Sequence, residues 1–205
     1  PFRGADHRDP RHRRCPRRDA LASADDQGRV GDRSDARGHR GGEVASHMAV
    51  QTIIQSMKDN SSSEAQQRLV QAIETANQAI LKAGLENEHL FEMGTTVTAV
   101  LVDGSRLLVA NVGDSGVFLI RSNTIRKITR DHTLAEEMLS HGILKPEEMR
   151  GNAYNHILTR ALGVDDQVEI DIFNEELLPG DILLIYSDGL TDMLIPDEIL
   201  EIIQA

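Results

Sequence analysis

The sequence predicts an α+β fold, with helices layered on largely antiparallel sheet, and three observations predict it. Residues 42 to 83 carry apolar side chains at helical spacing, at Gly94 the period drops to two, and beyond Asp131 helical text returns before two further strand-like runs. Helices, then consecutive short strands, then helices and strands again is the pattern of an α+β chain rather than of alternating βαβ units.

Composition narrows the setting. The 205 residues are 40% hydrophobic, enough for one core, but only 3% aromatic and without Trp, so that core is built from Leu, Ile, Val and Ala. A single cysteine, Cys15, cannot form an internal disulfide, and no apolar run is long enough to span a bilayer. No apolar signal-peptide core follows the basic N-terminus, so a reducing, cytoplasmic protein is expected. The net charge of −11 disfavours nucleic acid as the main partner, and nothing points to a membrane.

Two kinds of text make up that average. Residues 1 to 40 hold 11 of the 22 Lys+Arg and 7 of the 33 Asp+Glu, a net of +4 against −15 for the remainder, and every Lys or Arg among them is Arg. With almost no hydrophobic periodicity, this basic arm is expected to be irregular and disordered, followed by one domain over 41–205.

The elements of that domain follow in order. GEVASHMAVQTIIQSMKD places Val44, Met48, Ile53, Ile54 and Met57 on a helical stripe that ends near Asn60. Ser61 with Glu64 three residues later has the form of a capping box, and Leu69, Val70, Ile73, Ala76, Ile80 and Leu81 continue a second helix to Ala83. TTVTAVLV, RLLVANV, GVFLIR and TIRKIT alternate as strands separated by the turn formers Asp103-Gly104, Gly113-Asp114-Ser115 and Ser122-Asn123, which predicts a four-stranded antiparallel meander. Helical text resumes at Asp131 and at Pro146, the latter suited to a first helical turn. VEIDIF and DILLIY read as strands, the second as a strand buried on both faces that ends in the turn Ser187-Asp188-Gly189, and PDEILEIIQA opens a last helix.

Asp188 and Asp192 stand at the exit of that apolar strand, where a sheet delivers side chains to a rim. An isolated SDG is most simply a turn, so the rest of the chain must decide. MGTTVTAVLV, VANVGDSGVFLIR, ITRDHTLAEEM, ILTRALG and GDILLIYSDGLTDML occur in the order and approximate spacing of the metal-dependent serine/threonine protein phosphatase 2C family, and most resemble its bacterial members. With GEVAS at 42–46, the resemblance covers about three quarters of the chain.

The resemblance implies a sandwich of two antiparallel sheets flanked by helices, incomplete here at both ends, with a metal cluster between the sheet ends. It implies two core Mg²⁺ or Mn²⁺ ions and a weaker third. Asp188 matches the aspartate on the first core ion, and Asp114, in GDS, matches the aspartate that shares the third ion with it. The residue types suit hard cations, which take oxygen ligands. Such ions offset the charge of a phosphate ester and activate a water, so no enzyme nucleophile is required. Phosphorylated proteins, including substrates of Ser/Thr kinases, are the implied partners. His39, His132 and His156 are each read as structural, with His39 the one weak exception because it closes a motif.

The match fails where the family carries most of its core ligands. With Gly38 and His39 in register with an Asp-Gly-Met-Gly-Gly-His segment, the bridging aspartate falls on Ser34 and its glycine on Asp35. The family's Asn-Glu-Asp is absent, although Asp19 stands at a plausible distance, which leaves genuine divergence and a compensated pair of frameshifts both open. The chain also stops at Ala205, before a Gly-Gly-x-Asp-Asn segment that supplies another aspartate in the family. The expectation is a phosphoserine/phosphothreonine phosphatase domain with impaired or absent turnover, the alternative a pseudophosphatase that binds proteins without hydrolysing them.

Overall fold

The computed structural model describes residues 20–23, 36–59 and 64–205. Among the described residues, seven strands form two antiparallel sheets. β1 (Ala20–Ser23), β2 (Val97–Asp103), β3 (Arg106–Val112) and β6 (Asp171–Glu176) make one, in that order. β5 (Thr124–Lys127), β4 (Gly116–Arg121) and β7 (Ile182–Tyr186) make the other.

Side-chain alternation explains the layers. On β2, Val97, Ala99 and Leu101 face α1 (Ala36–Asp59) and α2 (Ala65–Glu86), whereas Val100 and Val102 face the second sheet. Val109 of β3 meets Val117 and Leu119 of β4 and Leu183 and Ile185 of β7 in that inner layer. The opposite face of β4 and β7, with Phe118, Ile120 and Leu184, is covered by α4 (Asp188–Met193) and α5 (Pro196–Gln204) through Leu190, Leu194, Ile199 and Ile203. The order is helices, sheet, sheet, helices, the sandwich that the sequence implies.

Several elements differ from expectation in instructive ways. The deepest stripe of α1 is Ala45, Ala49 and Ile53, not the larger Val44 and Met48, because small side chains let the helix approach its neighbours closely. Glu64 precedes α2 without a side-chain cap, and Ser61 lies outside the described residues. The four consecutive strands are not one meander. β2/β3 and β4/β5 are hairpins of different sheets, and Gly113-Asp114-Ser115 carries the chain from one layer to the other. DILLIY is covered on both faces, Leu183 and Ile185 by the first sheet and Leu184 by α4 and α5, but incompletely: Ile182 is 46% exposed, and among the described residues β7 pairs only with β4. Ser187-Asp188-Gly189 is no turn but the N-cap and first residues of α4. Within the stretch read as an irregular arm, Ala20–Ser23 pairs with β2 and residues 36–40 open α1. Strand pairing is made by the backbone, which composition does not report. The remainder of the arm lies outside the described residues.

The segment after α3 (Leu134–Ser140) is docked rather than loose. Thr95 and Leu162 exchange backbone hydrogen bonds at 3.1 and 2.8 Å, and buried Asn77 of α2 accepts from Gly163 N–H (2.7 Å) while donating to Asp165 O (2.8 Å). Gly163 is needed there: its φ is +84°, and a Cβ would lie 2.3 Å from Ile80 Cγ2.

Candidate metal centre

Asp114 and Asp188 leave the same end of the second sheet. The last registered pair of β4 and β7 is Gly116 with Tyr186, so Asp114 precedes it by two residues and Asp188 follows it by two on the antiparallel partner. Both are half-buried. Asp192 stands one helical turn beyond Asp188 on the same face of α4. His156, at the end of a 3₁₀ turn over Ala153–His156, completes a group with Asp188 and Asp192, one ligand atom from each lying within 4.8 Å of the others; Asp114 is not part of that group.

This donor set fits a divalent ion. Two carboxylates supply the hard oxygens that Mg²⁺ and Mn²⁺ take, and an imidazole nitrogen is a ligand for first-row transition ions. Neither Asp192 nor His156 is among the ligands that the resemblance implies: Asp192 is expected only at the strand exit and His156 as structural. The four-residue spacing of Asp188 and Asp192 was a signal for the first, whereas His156 is brought in from another element and had none.

The turn carrying Asp114 is held by buried polar groups. Gly113 O accepts from His132 N–H (3.0 Å) and from Asn111 Nδ2 (3.1 Å), and Thr98 Oγ1 donates to Asn111 Oδ1 at 2.6 Å. Ser115 Oγ is 3.1 Å from Thr96 Oγ1, and Gly113, at φ +105°, lies so close to Thr96 that a Cβ would be 2.3 Å from its Cγ2. The His132 ring is buried against Asp171, consistent with its structural reading. Desolvation pushes its pKa below the usual histidine value although Asp171 pulls the other way. Beside it, under α3, a polar cleft of about 390 Å³ is lined by Arg130, Asp131, Thr159 and Arg160.

Next to the strand exit the packing is tight. Tyr186 stacks on Phe118 (centroids 4.4 Å apart), and Gly116 leaves room for its hydroxyl, which a Cβ there would approach to 2.7 Å. Burial, and the charge of Asp131, push the Tyr186 phenol above its ordinary pKa, so it remains protonated.

The family model for protein phosphatase 2C matches residues 3–203. The chain belongs to the protein phosphatase 2C family. The match begins at residue 3 and so takes in nearly all of the basic arm, further upstream than the quoted motifs reach. The serine/threonine phosphatase stp of Listeria welshimeri is 37% identical over 172 residues, covering 82% of this chain and 68% of that protein. The serine/threonine phosphatase of S. agalactiae superposes with a TM-score of 0.77 at 28% identity, covering 92% of this chain and 86% of that one. The catalytic domain of the phosphatase PstP, solved in complex with two manganese ions, gives a TM-score of 0.73 at 29% identity over 92% of this chain and 85% of its own. Protein phosphatase 2C members are metal-dependent, which agrees with the carboxylates at this end of the sheet. Among the described residues, no helix is long and apolar enough to cross a membrane.

Proposed function

We propose that this chain hydrolyses phosphoserine and phosphothreonine esters of proteins in a reducing, cytoplasmic setting, using Mg²⁺ or Mn²⁺ held by Asp114, Asp188 and Asp192. The observation that carries the proposal is the shared exit of Asp114 and Asp188 from one strand pair, with Asp192 and His156 closing on Asp188. Bound there, divalent ions offset the charge of the phosphate ester and acidify a water. Asp188 and Asp192 hold their carboxylates on one face of α4, and Asp114 is proposed to join them from the sheet-crossing turn, which leaves the same end of the sheet.

Turnover is proposed to be slow. Ser34, in register with the family's bridging aspartate, offers a neutral hydroxyl in place of a carboxylate, and the described carboxylates give too few oxygens for a tight cage. The test is release of phosphate from an aryl phosphate and from a phosphothreonine peptide with and without Mn²⁺. The expected result is a rate close to background that Asp188→Ala abolishes. Robust hydrolysis sensitive to Asp188→Ala would refute the slow-turnover reading. A rate indifferent to both Mn²⁺ and Asp188 would refute the metal-site assignment. Retention of the peptide without turnover would favour the pseudophosphatase.

A further inference from the structure

One buried histidine grips the turn that carries Asp114 through both backbone polar groups of Gly113, the N–H of the peptide before it and the C=O of the peptide after it. The His132 backbone N–H donates to Gly113 O at 3.0 Å, and the His132 ring nitrogen Nδ1 accepts from Gly113 N–H at 3.1 Å. A nitrogen that accepts carries no proton, so the ring hydrogen is on Nε2. There Asp171 Oδ2 lies at 3.2 Å and takes it, while Arg160 Nη1, a donor only, stands farther off at 3.4 Å and is engaged by Asp171 Oδ1. Arg160 secures the acceptor in turn, with Nη1 2.9 Å from Asp171 Oδ1 and Nη2 2.9 Å from Glu169 Oε2. The other tautomer would set two hydrogens facing each other between Nδ1 and Gly113 N. His132 is 4% exposed, and both of its ring nitrogens face protein groups.

We propose that His132 is a positioning residue of the metal centre: its unprotonated Nδ1, kept in that tautomer by Asp171, fixes the Gly113 peptide and thereby aims the Asp114 carboxylate. This rests on the proposed role of Asp114 as a metal ligand. The Gly113 turn has little freedom of its own to compensate, because its φ of +105° and its contact with Thr96 leave one way through. Partners that orient metal ligands from behind typically change metal affinity by about 10–100-fold when removed.

Asparagine and glutamine separate the two ring nitrogens. An asparagine Oδ1 stands where Nδ1 does and can accept from Gly113 N–H, whereas a glutamine amide reaches toward Asp171 and leaves that N–H without its acceptor. Mn²⁺ binding is measured by loss of the free-ion electron paramagnetic resonance signal for the wild type, His132→Asn, His132→Gln and Asp114→Asn, with thermal unfolding of each. The expected result is affinity within about threefold of wild type for His132→Asn and at least about tenfold weaker for His132→Gln. Nitrogen-15 spectra of the wild type should show the Nε2–H tautomer. Equal affinity for the two His132 variants, or an Nδ1–H tautomer in the wild type, overturns the proposal even where a variant unfolds. If Asp114→Asn leaves Mn²⁺ binding unchanged, the reading of Asp114 fails and takes this inference with it. If Asp114→Asn weakens binding but both His132 variants match the wild type, the inference alone fails.

Discussion

Replacing Tyr186 with phenylalanine is expected to stabilise the protein. The Tyr186 side chain is 5% exposed, and its hydroxyl is buried without a hydrogen-bond partner among the described residues. A buried polar group left unsatisfied costs about 1–3 kcal/mol, which the substitution removes. The ring keeps its stack on Phe118, so the apolar contribution is unchanged. Against this stands an oxygen-sized void, worth roughly 0.3–0.5 kcal/mol at about 24 cal/mol per Å³. The net expectation is roughly 1–2 kcal/mol of added stability, or a midpoint higher by about 2–8 °C. Denaturant and thermal unfolding of the two proteins decide it. A loss of more than about 1 kcal/mol would refute the reasoning, because it would mean that the hydroxyl is satisfied, for example by an ordered water. A second reading comes from Tyr154→Phe, which leaves Tyr186 as the sole tyrosine. Because its folded pKa is raised, stability is intact below the unfolded tyrosine value of about 10 and falls as pH rises beyond it, so tyrosinate absorbance should appear only with unfolding.

Other perturbations probe the remaining layers. Arg121 donates to Asp181 through Nε (2.8 Å) and Nη2 (2.6 Å), which with Leu178 N–H holds the Asp181 carboxyl at about 2. Its stabilisation is therefore present above about pH 4 and lost as pH falls toward about 2, and Asp181→Asn should flatten that part of an acid-unfolding curve. Gly163→Ala should cost about 2–3 kcal/mol in denaturant unfolding, from a left-handed backbone and a Cβ driven into Ile80. His132, facing Asp171 and Arg160 with Asp131 nearby, has a lowered pKa in the fold, so stability should be full above about 6.5 and decline as pH falls below it; in His132→Asn that decline should vanish.

The stripes of α1 and α2 and the alternation of β2 to β5 were legible because each is a local pattern set by one element's own period. Which sheet a strand joins is not local. Gly113-Asp114-Ser115 has the letters of a hairpin turn, yet the inner faces of β3 and β4 are both apolar, and burying them against each other requires the chain to cross layers. The apolar run of β7 correctly signals cover on both faces, but not its position at a sheet edge, where among the described residues only β4 pairs with it and Ile182 stays exposed. The site divides similarly. Asp114 and Asp188 stand out through their motifs, and Asp192 through helical spacing from Asp188. His156 is 32 residues from Asp188 and is recruited by the docking of the segment after α3, which no spacing rule encodes.

Asp114, Asp188 and Asp192 are proposed to serve one divalent-ion site at the end of the second sheet. Mn²⁺ titration of the wild type and of the three single Asp→Asn variants tests it most directly. Weak wild-type binding, reduced further by each of the three substitutions, is the predicted result. Wild-type binding that Asp188→Asn and Asp192→Asn diminish but Asp114→Asn leaves untouched would contradict a shared site, and so would binding indifferent to all three.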